Sequence, residues 1–119
     1  MVVADYDNLR LPLTDKLKIE GFEVMEAKNG EEGLKTAIIE RPDIILLDIM
    51  MPVMSGWEML SKLRKTEGGD KFKVIMLTAI SDSGSVSRLM QEGGAGFLVK
   101  TEQSMDSIVE KVKDMLKSN

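Results

Sequence analysis

The chain has 119 residues, of which 43% are apolar and 30% charged, a balance typical of one globular domain. It contains no cysteine and no histidine, which excludes disulfides, thiolate chemistry and every site built on imidazole. The net charge of -4, with both signs interspersed, argues against direct binding of nucleic acid. No apolar run reaches the roughly 18 residues of a membrane span, and no signal peptide is recognisable. We therefore expect a cytoplasmic protein that contacts no membrane.

Five short apolar segments alternate along the chain with segments of helical periodicity. The apolar segments, predicted as strands, are residues 1–4, 22–27, 43–48, 73–79 and 95–100. The third and fourth are almost continuously apolar, as central parallel strands covered on both faces are. The second alternates apolar and polar residues, which is typical of a strand with one wet face.

Between these segments, apolar residues recur every third or fourth position and predict five helices. The residues that mark the helices are Leu9, Leu13 and Leu17; Leu34, Ala37 and Ile38; Met59, Leu60 and Leu63; Val86, Leu89 and Met90; and Ile108, Val109, Val112, Met115 and Leu116. Five such units in this length predict a single α/β domain over residues 1–119, a doubly wound five-stranded parallel sheet with helices on both faces.

Charged or hydroxyl side chains end four of the predicted strands. Asp5 follows the first strand, Asp48 ends the third, Thr78 lies near the end of the fourth, and Lys100 ends the fifth. Ligands of open parallel sheets bind at this carboxyl edge. Carboxylates gathered there favour Mg²⁺, and a carboxylate can be a nucleophile toward phosphorus. A fixed ammonium and a hydroxyl can then bind the oxygens of the transferring phosphoryl group.

Three motifs in order resemble those of bacterial two-component response-regulator receiver domains. They are L-L-D-I-M-M-P-V-M-S-G at residues 46–56, T-A at residues 78–79, and F-L-V-K at residues 97–100. The resemblance extends from about Val2 to the last helix. It implies a CheY-like domain of flavodoxin-like topology, with strand order 2-1-3-4-5.

The resemblance also assigns roles at the first motif. Asp48 is expected to be the phosphoacceptor, which receives its phosphoryl group from a sensor histidine kinase or a phosphotransfer protein. Asp5, Asp48 and the backbone carbonyl of Met50 are expected to bind Mg²⁺. The family's own chemistry is limited to its phosphoryl uptake and later hydrolysis, so we do not expect an enzyme in the ordinary sense.

The other two motifs correspond to the switch of the family. Thr78 resembles the hydroxyl that moves on phosphorylation, Phe97 the aromatic side chain that follows it, and Lys100 the lysine paired with the phosphoryl group. Receiver domains of this kind signal to a downstream target or output domain through the surface formed by the fourth helix, the fifth strand and the fifth helix.

Three features depart from the family pattern. One of them is Thr101, which follows Lys100 where the family usually has proline. Ala4 stands where the family usually has the first carboxylate of an acidic pair, so we expect weakened Mg²⁺ binding unless Asp7 compensates. Asp7 on its own is more simply explained as a helix cap. The first strand also begins at Met1, several residues later than is usual, and is expected to be shortened at its amino end.

Two alternative functions follow from the same residues. Ala4 is compatible with a pseudo-receiver, an interaction module that keeps the fold but does not respond to phosphate. Asp5-Tyr6-Asp7 superficially resembles the D-x-D motif of small phosphatases of the haloacid-dehalogenase type, with Asp5 as nucleophile. Asn8 and Leu9 do not continue that motif, and no acidic pair follows a later strand.

Overall fold

The protein folds around a parallel sheet with helices on both faces. The computed structural model describes residues 1–78, 96–99 and 105–117. The strands are β1 (Val2–Val3), β2 (Glu26–Ala27), β3 (Ile45–Asp48), β4 (Val74–Thr78) and β5 (Gly96–Val99). All neighbouring strands are parallel, and their order is β2-β1-β3-β4-β5. The predicted fold class and strand order are confirmed.

Four α-helices lie within the described residues: α1 (Asp7–Ile19), α2 (Gly30–Glu40), α3 (Gly56–Arg64) and α4 (Met105–Lys117). The last of these is the fifth helix predicted from the sequence. The fourth predicted helix, around Val86, lies outside the described residues. Asn29 and Ser55 cap α2 and α3, because their side-chain oxygens accept the amides of Glu32 at 2.9 Å and Glu58 at 3.2 Å. None of the described helices has the length and apolarity needed to cross a membrane.

The strands supply alternate residues to two apolar layers. One layer lies under α2 and α3 and contains Val3, Ile45, Leu47, Met76 and the helix residues Ala37, Met59, Leu60 and Leu63. The other lies under α1 and α4 and contains Val2, Leu46, Ile75, Leu77 and the helix residues Leu13, Leu17, Ile108, Val109 and Val112. Covering both faces explains why the third and fourth predicted strands are almost continuously apolar.

The first two strands are shorter than the sequence pattern predicts. Only two residues pair in each, whereas the predicted segments were 1–4 and 22–27. Val2 lies opposite Glu26, so in the same register the partners of residues 22–24 would lie upstream of Met1. Among the described residues, no strand therefore pairs with residues 22–24, although they continue the apolar alternation.

Candidate functional site

Asp48 occupies the carboxyl end of the central strand β3. Its residue exposure is only 1%, although carboxylates are rarely this deeply buried. The Met50 amide donates to the Oδ1 atom of Asp48 at 3.3 Å, and this long hydrogen bond fixes the turn that leaves the strand. Asp48 lies at this position because it is the last residue of an apolar run that the sheet buries on both faces.

The carboxyl end of β1 lies directly beside Asp48. Val3 pairs with Leu47, which brings the next residue, Ala4, alongside Asp48. Ala4 is fully buried, and its amide donates to the Ala27 carbonyl oxygen at 3.1 Å. Asp5, which follows, is half-buried. The two predicted metal-binding carboxylates thus follow neighbouring strands.

Sequence reasoning missed a buried cation at this edge, Arg10 of α1, which is 4% exposed. Its Nη1 atom donates to the carbonyl oxygens of Ala4 at 3.0 Å and Asp5 at 3.1 Å. Its Nε atom donates to the Glu26 carboxylate at 3.2 Å. The guanidinium therefore ties the end of β1 to β2. The only signal in the sequence was a basic residue on the otherwise apolar side of a helix.

Arg10 also determines what Asp7 does. The Asp7 carboxylate forms an ion pair with Nη2 of Arg10 within the first turn of α1, and its side chain is 68% exposed. Within residues 1–78, 96–99 and 105–117, no three carboxylates come together in a cluster that could hold a metal ion. The explanation of Asp7 as a helix cap is wrong, because Tyr6 occupies the cap position of α1 and Asp7 is the first residue of the helix, paired with Arg10. Compensation of Ala4 by Asp7 stays a prediction.

The loop between β3 and α3 folds tightly back on the strand that carries Asp48. The Gly56 amide donates to the Ile49 carbonyl oxygen at 2.9 Å. Val53, in the same loop, has a φ of 67°, a left-handed conformation that is strained for a β-branched residue. Its side chain is exposed, as is that of Met50. The loop therefore lies close against the strand that carries the buried carboxylate.

The predicted switch residues lie on β4, on β5 and beyond. Thr78 ends β4, one residue after the pairing of Asp48 with Leu77, and is itself paired with Val99. Phe97 lies opposite Met76 on β5. The side-chain contacts of Thr78 and Phe97, and the whole of Lys100, lie outside the described residues. Their predicted roles stay predictions.

A network of ion pairs joins α1 to α4 away from this edge. Lys16 contacts Asp106 at 3.0 Å and Glu20 at 3.5 Å, and Lys113 contacts the other oxygen of Glu20 at 3.2 Å. The hydrogen bond from Lys113 and its positive charge lower the pKa of Glu20. The hydrogen bond to Asp106 and its charge raise the pKa of Lys16. The network therefore links side chains of the first helix and its carboxyl-terminal cap with side chains of α4.

A five-stranded parallel sheet with this order and a buried carboxylate at the end of its central strand defines a receiver-type signalling domain. The family model for the response regulator receiver domain matches residues 1–113. The chain therefore belongs to the response regulator receiver family and acts in two-component signalling, in which such domains interact with histidine kinases and output domains.

Relatives and solved structures agree with this assignment. The chain is 35% identical over 103 residues to the transcriptional regulatory protein AfsQ1 of Streptomyces coelicolor, covering 87% of this chain and 44% of that protein. It is 36% identical over 114 residues to LnrK of Bacillus subtilis, covering 94% and 50%. This chain thus spans about half the length of these relatives. The structure of chemotaxis protein CheY4 of Vibrio cholerae superposes with a TM-score of 0.89 at 27% identity, over 96% of this chain and 94% of that one.

Proposed function

We propose that this domain is a phosphorylation-dependent switch and that Asp48 is its phosphoacceptor. The observation that carries the proposal is the placement of a buried carboxylate at the carboxyl end of β3, beside the end of β1. Because Asp48 is buried at the carboxyl end of the central strand, water has little access to this nucleophile or to the acyl phosphate that it would form. The proposal includes a cytoplasmic location, which suits a chain without cysteine.

The proposed reaction is a phosphoryl transfer between two side chains. A carboxylate oxygen of Asp48 forms a bond to the phosphorus of a phosphohistidine on a kinase or phosphotransfer protein. The phosphorus–nitrogen bond breaks, and its electron pair stays on the imidazole, which takes up a proton. Attack of water on the acyl phosphate later releases inorganic phosphate and restores the carboxylate. Apart from these two steps on its own side chain, we propose no catalytic activity.

The donor atoms at this edge fit a magnesium ion. Asp5 and Asp48 follow neighbouring strands, and the Met50 amide that contacts Oδ1 of Asp48 places the Met50 backbone beside that carboxylate. Two carboxylates and a carbonyl are hard oxygen ligands, and Mg²⁺ commonly binds through one or two carboxylates while retaining several waters. When bound, the ion would neutralise charge on the phosphoryl oxygens. Because Ala4 supplies no carboxylate, we propose weaker Mg²⁺ binding than a complete acidic pair would give.

The phosphodonor would dock on the rim around Asp48. Tyr6, Met50 and Val53 carry exposed side chains on the two loops that flank this carboxylate, at 63%, 73% and 74% exposure. Apolar side chains of this kind are suited to a transient protein contact. In the proposed switch, Lys100 pairs with the phosphoryl group, Thr78 hydrogen-bonds to it, and Phe97 follows Thr78. The proposed output surface includes β5 and α4, and α4 is the fifth of the helices predicted from the sequence.

Intact-protein mass spectrometry after incubation with acetyl phosphate tests the proposal. We expect one added phosphoryl group that depends on Mg²⁺. The adduct should be absent from Asp48→Asn and present in Asp43→Asn, a control that removes an exposed carboxylate from the opposite edge of the sheet. A folded protein that gains no adduct at any Mg²⁺ concentration would contradict phosphorylation and favour the pseudo-receiver.

The pseudo-receiver is the second candidate, because one observation favours it. Ala4 lies beside Asp48 in the sheet, and the nearby Asp7 is paired with Arg10. Titration with Mg²⁺, followed by the shift in thermal unfolding, separates the two candidates. A receiver should be stabilised by the ion, and Asp5→Asn should lose that stabilisation. No observation favours the phosphatase alternative, and turnover of a generic phosphate monoester would test it.

A further inference from the structure

The carbonyl oxygens on the two sides of the Asp5 Cα atom are bound by a single nitrogen atom. The Ala4 carbonyl oxygen belongs to the peptide unit before this Cα atom, and the Asp5 carbonyl oxygen belongs to the peptide unit after it. Nη1 of Arg10 donates to both oxygens, at 3.0 Å and 3.1 Å. Because each peptide unit is planar, only two dihedral angles at Asp5 relate the two units. Holding both units therefore sets the direction in which the Asp5 side chain leaves the backbone.

The guanidinium that makes these contacts is supported by its other two nitrogen atoms. Nε donates to the Glu26 carboxylate of β2 at 3.2 Å, and Nη2 pairs with Asp7. Arg10 is buried, and the planar fork of a guanidinium presents its donors at fixed angles. The direction of Nη1 toward the two carbonyl oxygens is therefore supported from β2 and from the first turn of α1.

The charge of Arg10 is balanced without the Asp5 carboxylate. Within the described residues, its ion pairs are made to Asp7 and Glu26. Its contact with Asp5 is made to the backbone. By its charge alone, a cation near a magnesium site would repel the ion. A benefit of Arg10 to such a site would therefore come from the geometry of its hydrogen bonds and not from its charge.

The direction of Asp5 matters because the end of β1 supplies no other carboxylate. Ala4, which lies alongside Asp48, has none. Asp5 lies beyond the last residue pair of β1, so the hydrogen bonds of the strand do not determine its backbone direction. Side chains that bind a metal ion are commonly oriented by hydrogen bonds from residues behind them. Arg10 is placed to do this for Asp5 through the backbone.

We propose that Arg10 is the positioning residue of the magnesium site, because it holds the two peptide units that flank Asp5 and so directs the Asp5 carboxylate. Arg10 does not itself contact the ion. The proposal rests on the proposed function, in which Asp5 and Asp48 bind Mg²⁺, and it adds a residue on which that binding depends. Loss of such an outer partner typically weakens metal binding about 10–100-fold.

Titration of the metal-free protein with Mg²⁺ tests the proposal. The NMR amide signals of Asp5 and Met50 report the affinity at a temperature at which each variant is folded. We expect Arg10→Met to bind Mg²⁺ about tenfold more weakly than the parent, or worse. Removal of a nearby positive charge would by itself have the opposite effect, so the direction of the change separates positioning from charge.

Two further variants complete the titration. Arg10→Lys keeps the charge without the planar fork, so its affinity should lie between those of the parent and Arg10→Met. It also carries the test if Arg10→Met does not fold. Lys35→Met is the matched control, because it removes a cation whose pair with Glu31 lies on the surface, and it should keep the affinity of the parent.

A second measurement needs no metal ion. The HN–Hα coupling constant of Asp5 reports its φ angle in the metal-free protein. We expect this constant to move toward the averaged value of a flexible chain in Arg10→Met and to keep the parent value in Lys35→Met. A contribution of Arg10 to overall stability alone would leave the constant unchanged in a variant that is still folded.

An affinity of a folded Arg10 variant equal to or above that of the parent would overturn the proposal, as would an unchanged Asp5 coupling constant. Asp5→Asn separates this result from failure of the magnesium site. If Asp5→Asn weakens Mg²⁺ binding and neither Arg10 variant does, the magnesium site stands and Arg10 has no part in it. If the parent binds no Mg²⁺, or Asp5→Asn binds it equally tightly, the magnesium site itself is wrong and this proposal is overturned with it.

Discussion

Gly56 packs directly on the backbone of Asp48. A Cβ atom at residue 56 would lie 2.3 Å from the Asp48 carbonyl oxygen and 2.8 Å from the Cα atom of Ile49. The contact lets α3 begin immediately above the end of β3, and Ser55 caps the helix at the same point. The loop that leaves the candidate phosphoacceptor is therefore short and tightly constrained because residue 56 has no side chain.

Gly56→Ala should destabilise the fold by about 1–3 kcal/mol, because the added methyl group meets backbone atoms that cannot rotate away. The variant should also take up phosphate from acetyl phosphate more slowly, since the displaced backbone belongs to Asp48. Urea unfolding measures the first effect and intact mass the second. Lys62→Ala, an exposed change on the same helix, is the control and should stay within about 0.5 kcal/mol of the parent. An alanine variant as stable as this control would contradict the close approach.

Arg10→Met tests the buried cation. Methionine occupies a similar length but donates no hydrogen bond, so the carbonyl oxygens of Ala4 and Asp5 lose a shared donor. We expect a loss of about 2–4 kcal/mol in the free energy of unfolding, typical of removing a buried charged donor. Arg10→Lys should recover part of it, because an ammonium cannot reproduce the planar fork.

The control for Arg10 is Lys35→Met, which removes a cation whose pair with Glu31 lies on the surface. Surface pairs of this kind contribute about 0.3–0.5 kcal/mol. If the two methionine variants were equally stable, Arg10 would have no structural role. The comparison is made by urea unfolding at one pH and one salt concentration.

The fold was predictable because the apolar patterns that indicate its strands and helices recur along the chain and are local in sequence. Burial on both faces makes β3 and β4 continuous apolar runs, and the spacing of Met59, Leu60 and Leu63 indicates α3. The position of Asp48 followed from the same pattern, because a charge that ends a buried run lies at the edge of the sheet.

The details that the sequence did not predict depend on pairing in three dimensions. Phe22 and Val24 have the alternation of a strand, but a strand forms only where a neighbour supplies hydrogen bonds, and β1 begins opposite Glu26. No sequence motif marks Arg10 either. Its partners, the carbonyl oxygens after β1 and the Glu26 carboxylate, come together only once the sheet and α1 are in place.

The ion pairs between α1 and α4 should make stability depend on pH. The pKa of Glu20 is lowered in the folded state, chiefly by its hydrogen bond from Lys113, from an ordinary value of 4.5. The unfolded chain therefore binds a proton more readily, and the contribution of Glu20 is present above pH 4.5 and is lost as pH falls through the folded-state pKa. Glu20→Gln should lower the urea midpoint near neutral pH, and the difference from the parent should shrink as pH falls below 4.5 and through the lowered folded-state pKa of Glu20, because both states then become protonated.

Salt provides the control for this effect. Glu20 and its partners lie at the surface, so about 1 M salt, which shortens the screening length to about 3 Å, should remove most of the difference between parent and variant. A difference that persists unchanged in salt or at low pH would have a cause other than charge.

Ala4→Asp restores the carboxylate that the family pattern expects and so tests the metal site. Residue 4 is fully buried beside Asp48, and a second buried carboxylate there should lower the unfolding temperature without a cation. Mg²⁺ should reverse the loss, and its affinity should rise on the order of tenfold, about 1.4 kcal/mol. Ala4→Asn has a side chain of the same size without charge and should show no such rise. Calorimetric titration measures the Mg²⁺ affinity of the two variants. A cation bound at Asp48 would interact with an added charge at residue 4, so equal affinities would mean that Mg²⁺ does not bind at this edge of the sheet.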